Sequence, residues 1–150
     1  MSSVGDYDEA ALAVMLRAGA AGLYTEEAAV ELLLGHYGRQ LTTKLAAYIE
    51  IGDDDRYAAL DWARLSDDLA EGLFFASSGE ACLVRLAASL GAGVPVTLRD
   101  VSALDHCNAT LALQAIAHSC GWLEHHHSAA ISGRFDPAGP TEPASSGGRL

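Results

Sequence analysis

The chain has 150 residues, half of them hydrophobic, with 20 acidic against nine basic residues and a formal net charge of −11. That length suits one domain with a real core, and no apolar run reaches the roughly 18–20 residues that span a bilayer. The nine basic residues are scattered singly, which excludes the basic stripe through which nucleic-acid binders meet phosphate.

The N-terminus, MSSVGDYDEA, has neither a basic nor an apolar leader region, so the sequence predicts a cytoplasmic protein. Asp6 or Asp8 caps a first helix that runs to about Gly19, with Leu12, Met15 and Leu16 as its apolar stripe. Gly19 and Gly22 read as the turn that ends it. Thr25 caps a second helix, Glu26 and Glu27 fill its first turn, and Ala29, Leu32, Leu33 and His36 share one face up to about Tyr37. A third helix carries Leu41, Leu45, Tyr48 and Ile49 and stops at Gly52. Asp53, Asp54 and Asp55 form an acidic loop, and Asp55 caps a fourth helix through Glu71 with Ala58, Trp62, Leu65 and Leu69 along its stripe.

Phe74 and Phe75 are expected to seal one end of the core. The segment Ser77–Pro95, SSGEACLVRLAASLGAGVP, is apolar on nearly every side, as befits a helix at the centre of a bundle. Ser77 and Glu80 have capping-box spacing, and Gly91, Gly93 and Pro95 end the helix. Thr97 to Asp100 reads as one helical turn. Asp105 caps a last helix over His106–Cys120, with Ala109, Leu113, Ile116 and Cys120 on its inner face, Leu104 and Leu111 beside them, Gly121 ending it and Trp122 packing back on its final turn. Residues 133–150 are rich in Gly, Pro and Ser and are expected to be disordered, with Arg134 and Phe135 as the features suited to docking. The expectation is an all-α domain over 1–122, a five- to six-helix bundle around a buried central helix at about 77–90, followed by a flexible tail over 123–150.

Little in the chain signals chemistry. There is no phosphate-binding loop, dinucleotide fingerprint or G-x-S-x-G nucleophile motif, and no cofactor is implied. Cys82, Cys107 and Cys120 lack C-x-x-C spacing and lie in apolar helical patterns, so they read as reduced, buried thiols. The metal-ligand candidates are His118, Cys120, His125, His126 and His127, with His106 and Cys107 nearby. Cys107 and His118 stand about 16 Å apart along a helix, and His118 and Cys120 point apart, so a shared ion needs residues from His125 onward to fold back. Asp53, Asp54, Asp55, Asp61, Asp67, Asp68 and Glu71 offer a partner-binding surface for a basic protein; the spacing of the first three does not make an EF-hand.

The blocks Leu23–Gly38 (LYTEEAAVELLLGHYG), Ala58–Leu65 (AALDWARL) and Ser77–Gly121 resemble small all-helical proteins of actinomycete bacteria, a group with no established activity. The resemblance spans about residues 22–121 and implies a cytosolic helical protein. The functional expectation is a non-enzymatic protein that acts through protein–protein contacts, by self-association or as a subunit or regulator of an assembly, through an exposed apolar patch on the first or last helix. Two alternatives stand beside it: a small His/Cys metal-binding or thiol-active protein, and an acidic decoy for a DNA-binding protein.

Overall fold

A computed structural model describes residues 2–122. Six helices follow in order: α1 (Glu9–Ala20), α2 (Tyr24–Tyr37), α3 (Leu41–Leu45), α4 (Trp62–Ala70), α5 (Ser78–Ala92) and α6 (His106–Ser119). A hairpin of β1 (Ile49–Ile51) and β2 (Ala58–Leu60) separates α3 from α4. The fold is all-α, with that hairpin as its only sheet among the described residues. The predicted tail, 123–150, lies outside the described residues, as do His125, His126, His127, Arg134 and Phe135.

Helix α5 is the buried centre. Ala81, Cys82, Leu83, Val84, Leu86, Ala87 and Ala88 are all removed from water, and α2, α4 and α6 pack around it. Helix α2 shares that role more fully than its sequence suggests. It buries Ala28, Ala29, Val30, Leu32, Leu33, Leu34 and Tyr37 and lies against α1, α5 and α6. Each fully buried leucine contributes about 1.5–3 kcal/mol relative to exposure, and these two helices hold 14 of the 29 buried hydrophobic residues among those described, about half of the core. The caps at Asp8, Ser77 and Asp105 form as the sequence predicts: their side chains accept from the backbone N–H groups of Ala11, Glu80 and Asn108. Gly93 takes the left-handed conformation that ends α5.

Several local expectations are corrected. Thr25 lies inside the first turn of α2, whose N-cap is Leu23 without a side-chain bond. Ile49 leaves the third helix and pairs as a strand with Leu60. Asp55 sits in the hairpin turn at φ +56°, and Asp61 caps α4 by accepting from the N–H of Arg64. Ala58 and Leu60 are buried while Ala59 is exposed, a period of two. Three residues are too few to separate that pattern from a helical one, which is why a longer α4 fitted the spacing. The turn after Pro95 runs Leu98–Ala103, and Thr97 gives it no side-chain cap.

Gly19 does not end a helix. It lies inside α1 where a Cβ would collide with the backbone carbonyl of Ala58, so glycine lets α1 press against β2. The inner face of α6 is rotated from the predicted one: Asn108, Ala112 and Ala115 are buried, and Ile116 is exposed. Small residues on that face let α6 come close to α2, where a Cβ on Gly35 would stand 2.8 Å from Leu111 Cδ2. Of the cysteines, only Cys82 is buried; Cys107 and Cys120 are exposed.

Candidate functional site

Helix α6 runs antiparallel to α2, so Asn108 meets His36 and His118 meets Glu27. At the His36 end a polar chain crosses the helix interfaces. The Asp105 carboxylate caps α6 and also accepts from Asn108 Nδ2 at 3.3 Å. A carboxylate with both bonds incoming leaves the Asn108 carbonyl oxygen for His36, whose Nδ1 therefore donates to it at 2.8 Å. His36 Nε2 faces Glu80 Oε1 at 3.5 Å, and Lys44 Nζ lies 4.0 Å from Glu80 Oε2. Lys44 also donates to the carbonyl of Phe75 at 3.5 Å.

The chain thus leads from the start of α6, through α2 and α5, to the loop before α5. Tyr37, edge-on to the His36 ring at 4.7 Å, is buried beside it. Its hydroxyl makes no hydrogen bond among the described residues, and burial, aided by the charge of Glu80, pushes its pKa well up. Glu80 has capping-box spacing, but its carboxylate turns to His36 and Lys44 instead of back to Ser77.

The loop held by Lys44 borders an open groove of about 560 Å³ between Gly72–Ser78, the first two turns of α5 and the turn at Asp100–Ala103. Its floor and walls include Leu69, Phe74, Ala76, Ala81 and Ala103. Phe74 is buried against Tyr48, ring to ring at 5.8 Å, as the sequence predicts. Phe75 does not seal the core: it is 89% exposed at the groove rim. Leu73 (68% exposed) stands on the same loop as Phe75, and Leu98 (65%) begins the turn that continues to Ala103. Arg85 and Asp100 put one cation and one anion into the lining, and they have no hydrogen bond or ion pair with any described side chain.

The groove lining contains no imidazole and no thiol, and Ser77 Oγ is engaged in capping α5. Cys82 lies behind the wall, 1% exposed, where burial and then the negative charge of Asp100 raise its thiol pKa. A buried thiol held in its neutral form is a poor nucleophile.

The other predicted sites are dispersed. His118 is paired with Glu27 at 3.0 Å, beside Tyr24, and Cys120 is exposed beyond it. No group of three potential metal ligands occurs among the described residues. Of the acidic set, Asp53, Asp54 and Asp55 lie at the hairpin turn, where Asp54 accepts from the N–H of Arg56 and Asp55 accepts from Ser2 Oγ. Asp61 caps α4, and Asp68 accepts from Tyr48 Oη at 2.8 Å. Asp67 and Glu71 are exposed on and just after α4. The cluster His36–Glu80–Asn108 escaped the sequence reading because its members come from three helices. The available signal was a histidine on an otherwise apolar helix face.

No protein-family model matches the chain, and no curated protein or solved structure matches it. No helix among the described residues is long and apolar enough to cross a membrane.

Proposed function

We propose that this is a non-enzymatic, cytoplasmic interaction protein whose docking surface is the groove at the start of α5. The observation that carries the reading is Phe75, a large apolar ring almost wholly in water at the edge of a concave, partly apolar surface. Leaving a phenylalanine exposed forfeits about 1.5–3 kcal/mol that burial returns when a partner covers it. Exposed apolar side chains also occur on α1 (Val14) and α6 (Ile116), where the sequence placed the docking patch, but neither stands at the rim of this groove.

The unpaired Arg85 and Asp100 define the chemistry of the occupant: a peptide segment with an apolar or aromatic side chain flanked by one basic and one acidic residue. The test is peptide display against the full-length protein and its Phe75→Ser and Asp100→Arg variants. The expected result is enrichment of aromatic residues with a basic neighbour on the wild type, loss of that enrichment with Phe75→Ser, and a switch to an acidic neighbour with Asp100→Arg. Identical enrichment on all three proteins overturns the reading.

A further inference from the structure

We propose that the groove's occupant is carried by this chain itself: Arg134-Phe135-Asp136, which docks there in cis and competes with other segments for the groove. This rests on the reading of the groove as a docking surface. Three observations support it. The triplet is a basic, an aromatic and an acidic residue in succession, matching a partly apolar surface that presents Asp100 and Arg85, neither paired with any described side chain. Phe135 is the one aromatic residue beyond Trp122.

The reach is also sufficient. The groove lies at the end of the molecule where α6 begins, since a Cβ on Gly79, in the first turn of α5, would stand 2.8 Å from the carbonyl oxygen of Ala103. The described chain ends at the opposite end of α6, where Gly121 abuts Tyr24. Returning along α6, fourteen residues long, takes about 21 Å. Phe135 lies thirteen positions beyond Trp122, a tether that extends to at most about 45 Å. A tether of that length gives an effective concentration on the order of 1 mM. An intrinsic affinity of only about 100 µM then keeps the groove about ten-to-one occupied, and weakens any competing segment about tenfold, without preventing its selection by display.

The occupant is tested by amide NMR spectra of the full chain. Phe135→Ser is expected to shift the amides of Gly72–Ser78 and Asp100–Ala103, and a synthetic peptide of residues 131–139 added to that variant returns them toward their wild-type positions. Asp100→Arg releases the segment, and Arg134→Asp in the same chain restores it. The shifts are unchanged by tenfold dilution. Unchanged groove amides in Phe135→Ser, shifts confined to other parts of the molecule, or loss of the wild-type signature on dilution each overturn docking in cis.

The display experiment, repeated on Phe135→Ser, separates the two proposals. Enrichment stronger than on the wild type supports both. Equal, Phe75-dependent enrichment on the two proteins overturns the cis occupant and leaves the groove standing. No Phe75-dependent enrichment on either overturns the groove itself.

Discussion

Both ends of α2 are tied to the rest of the bundle by a histidine and a carboxylate, and the two ties differ in how far they are withdrawn from water. At the C-terminal end His36 sits between Asn108 and Glu80, with the His36 and Glu80 side chains only 20% and 18% exposed. At the N-terminal end Glu27 accepts from His118 and from the backbone N–H of Gly22, in a pair left 30% and 27% open to water. A hydrogen bond in water replaces another of similar strength. A buried one cannot be lost without leaving a partner stranded, so the cost of breaking it is set by desolvation. The same residue types thus make a structural lock at one end of the helix and a surface latch at the other.

The sharpest way to break the contrast is His36→Ala. It strands the Asn108 carbonyl, leaves the Glu80 carboxylate with Lys44 alone and opens a void, and it is expected to destabilise the protein by about 3 kcal/mol in urea unfolding. Asn108→Ala should cost about 2 kcal/mol, and a double-mutant cycle between the two should show strong coupling. Equal costs at His36 and His118 would erase the distinction.

His118→Ala and Glu27→Gln are expected to cost about 0.5 kcal/mol each at neutral pH, and the Glu27 effect carries a pH signature. The bond from His118 first, and that from Gly22 second, lower the Glu27 pKa below its ordinary value. A carboxylate with a lowered pKa in the folded state contributes stability that is present above the unfolded-state value and is lost as pH falls through the folded-state value. The difference between wild type and Glu27→Gln should therefore shrink as unfolding is measured from pH 7 down through the carboxylate range. A difference that grows on acidification contradicts the assignment.

The smallest effect is expected beside the lock. Tyr37 buries a hydroxyl that makes no hydrogen bond, so Tyr37→Phe removes a desolvation cost and no contact. Its stability should lie within about 0.5 kcal/mol of wild type or above it. A clear loss would mean that the hydroxyl contributes to the lock.

The lock also explains the placement of the groove. Lys44 lies between Glu80 and the carbonyl of Phe75, so the loop that presents Phe75 is fastened to the polar chain through α2, α5 and α6. Rigid support beneath an exposed aromatic lowers the ordering cost of docking. His36→Ala, in a chain still folded at low temperature, is expected to weaken peptide capture by the groove as well as stability.

The helical class, the central apolar helix and the caps of α1, α5 and α6 are legible in the amino-acid sequence. Those features depend on neighbours along the chain: an aspartate or serine beside the amides it caps, a run of apolar residues too long to leave a polar face, a glycine where φ must be positive. The sequence also indicated the inward role of Phe74, Leu65 and Leu69. Features that depend on residues distant along the chain emerge only when the helices pack. The strand pairing of Ile49 with Leu60 needs two segments to meet. Gly19 reads as a turn until the Ala58 carbonyl is seen against it. The rotation of α6 follows from Gly35 on another helix, and it determines that Asn108 reaches His36 while Ile116 faces water. Of Phe74 and Phe75, it is Phe74 that packs its ring on Tyr48, a partner 26 residues away. Local propensity acts over a few residues at a fraction of a kilocalorie each, whereas the burial of one polar group or one aromatic ring is worth several times more. Where the two conflict, burial decides, and both the lock and the groove lie where distant segments meet.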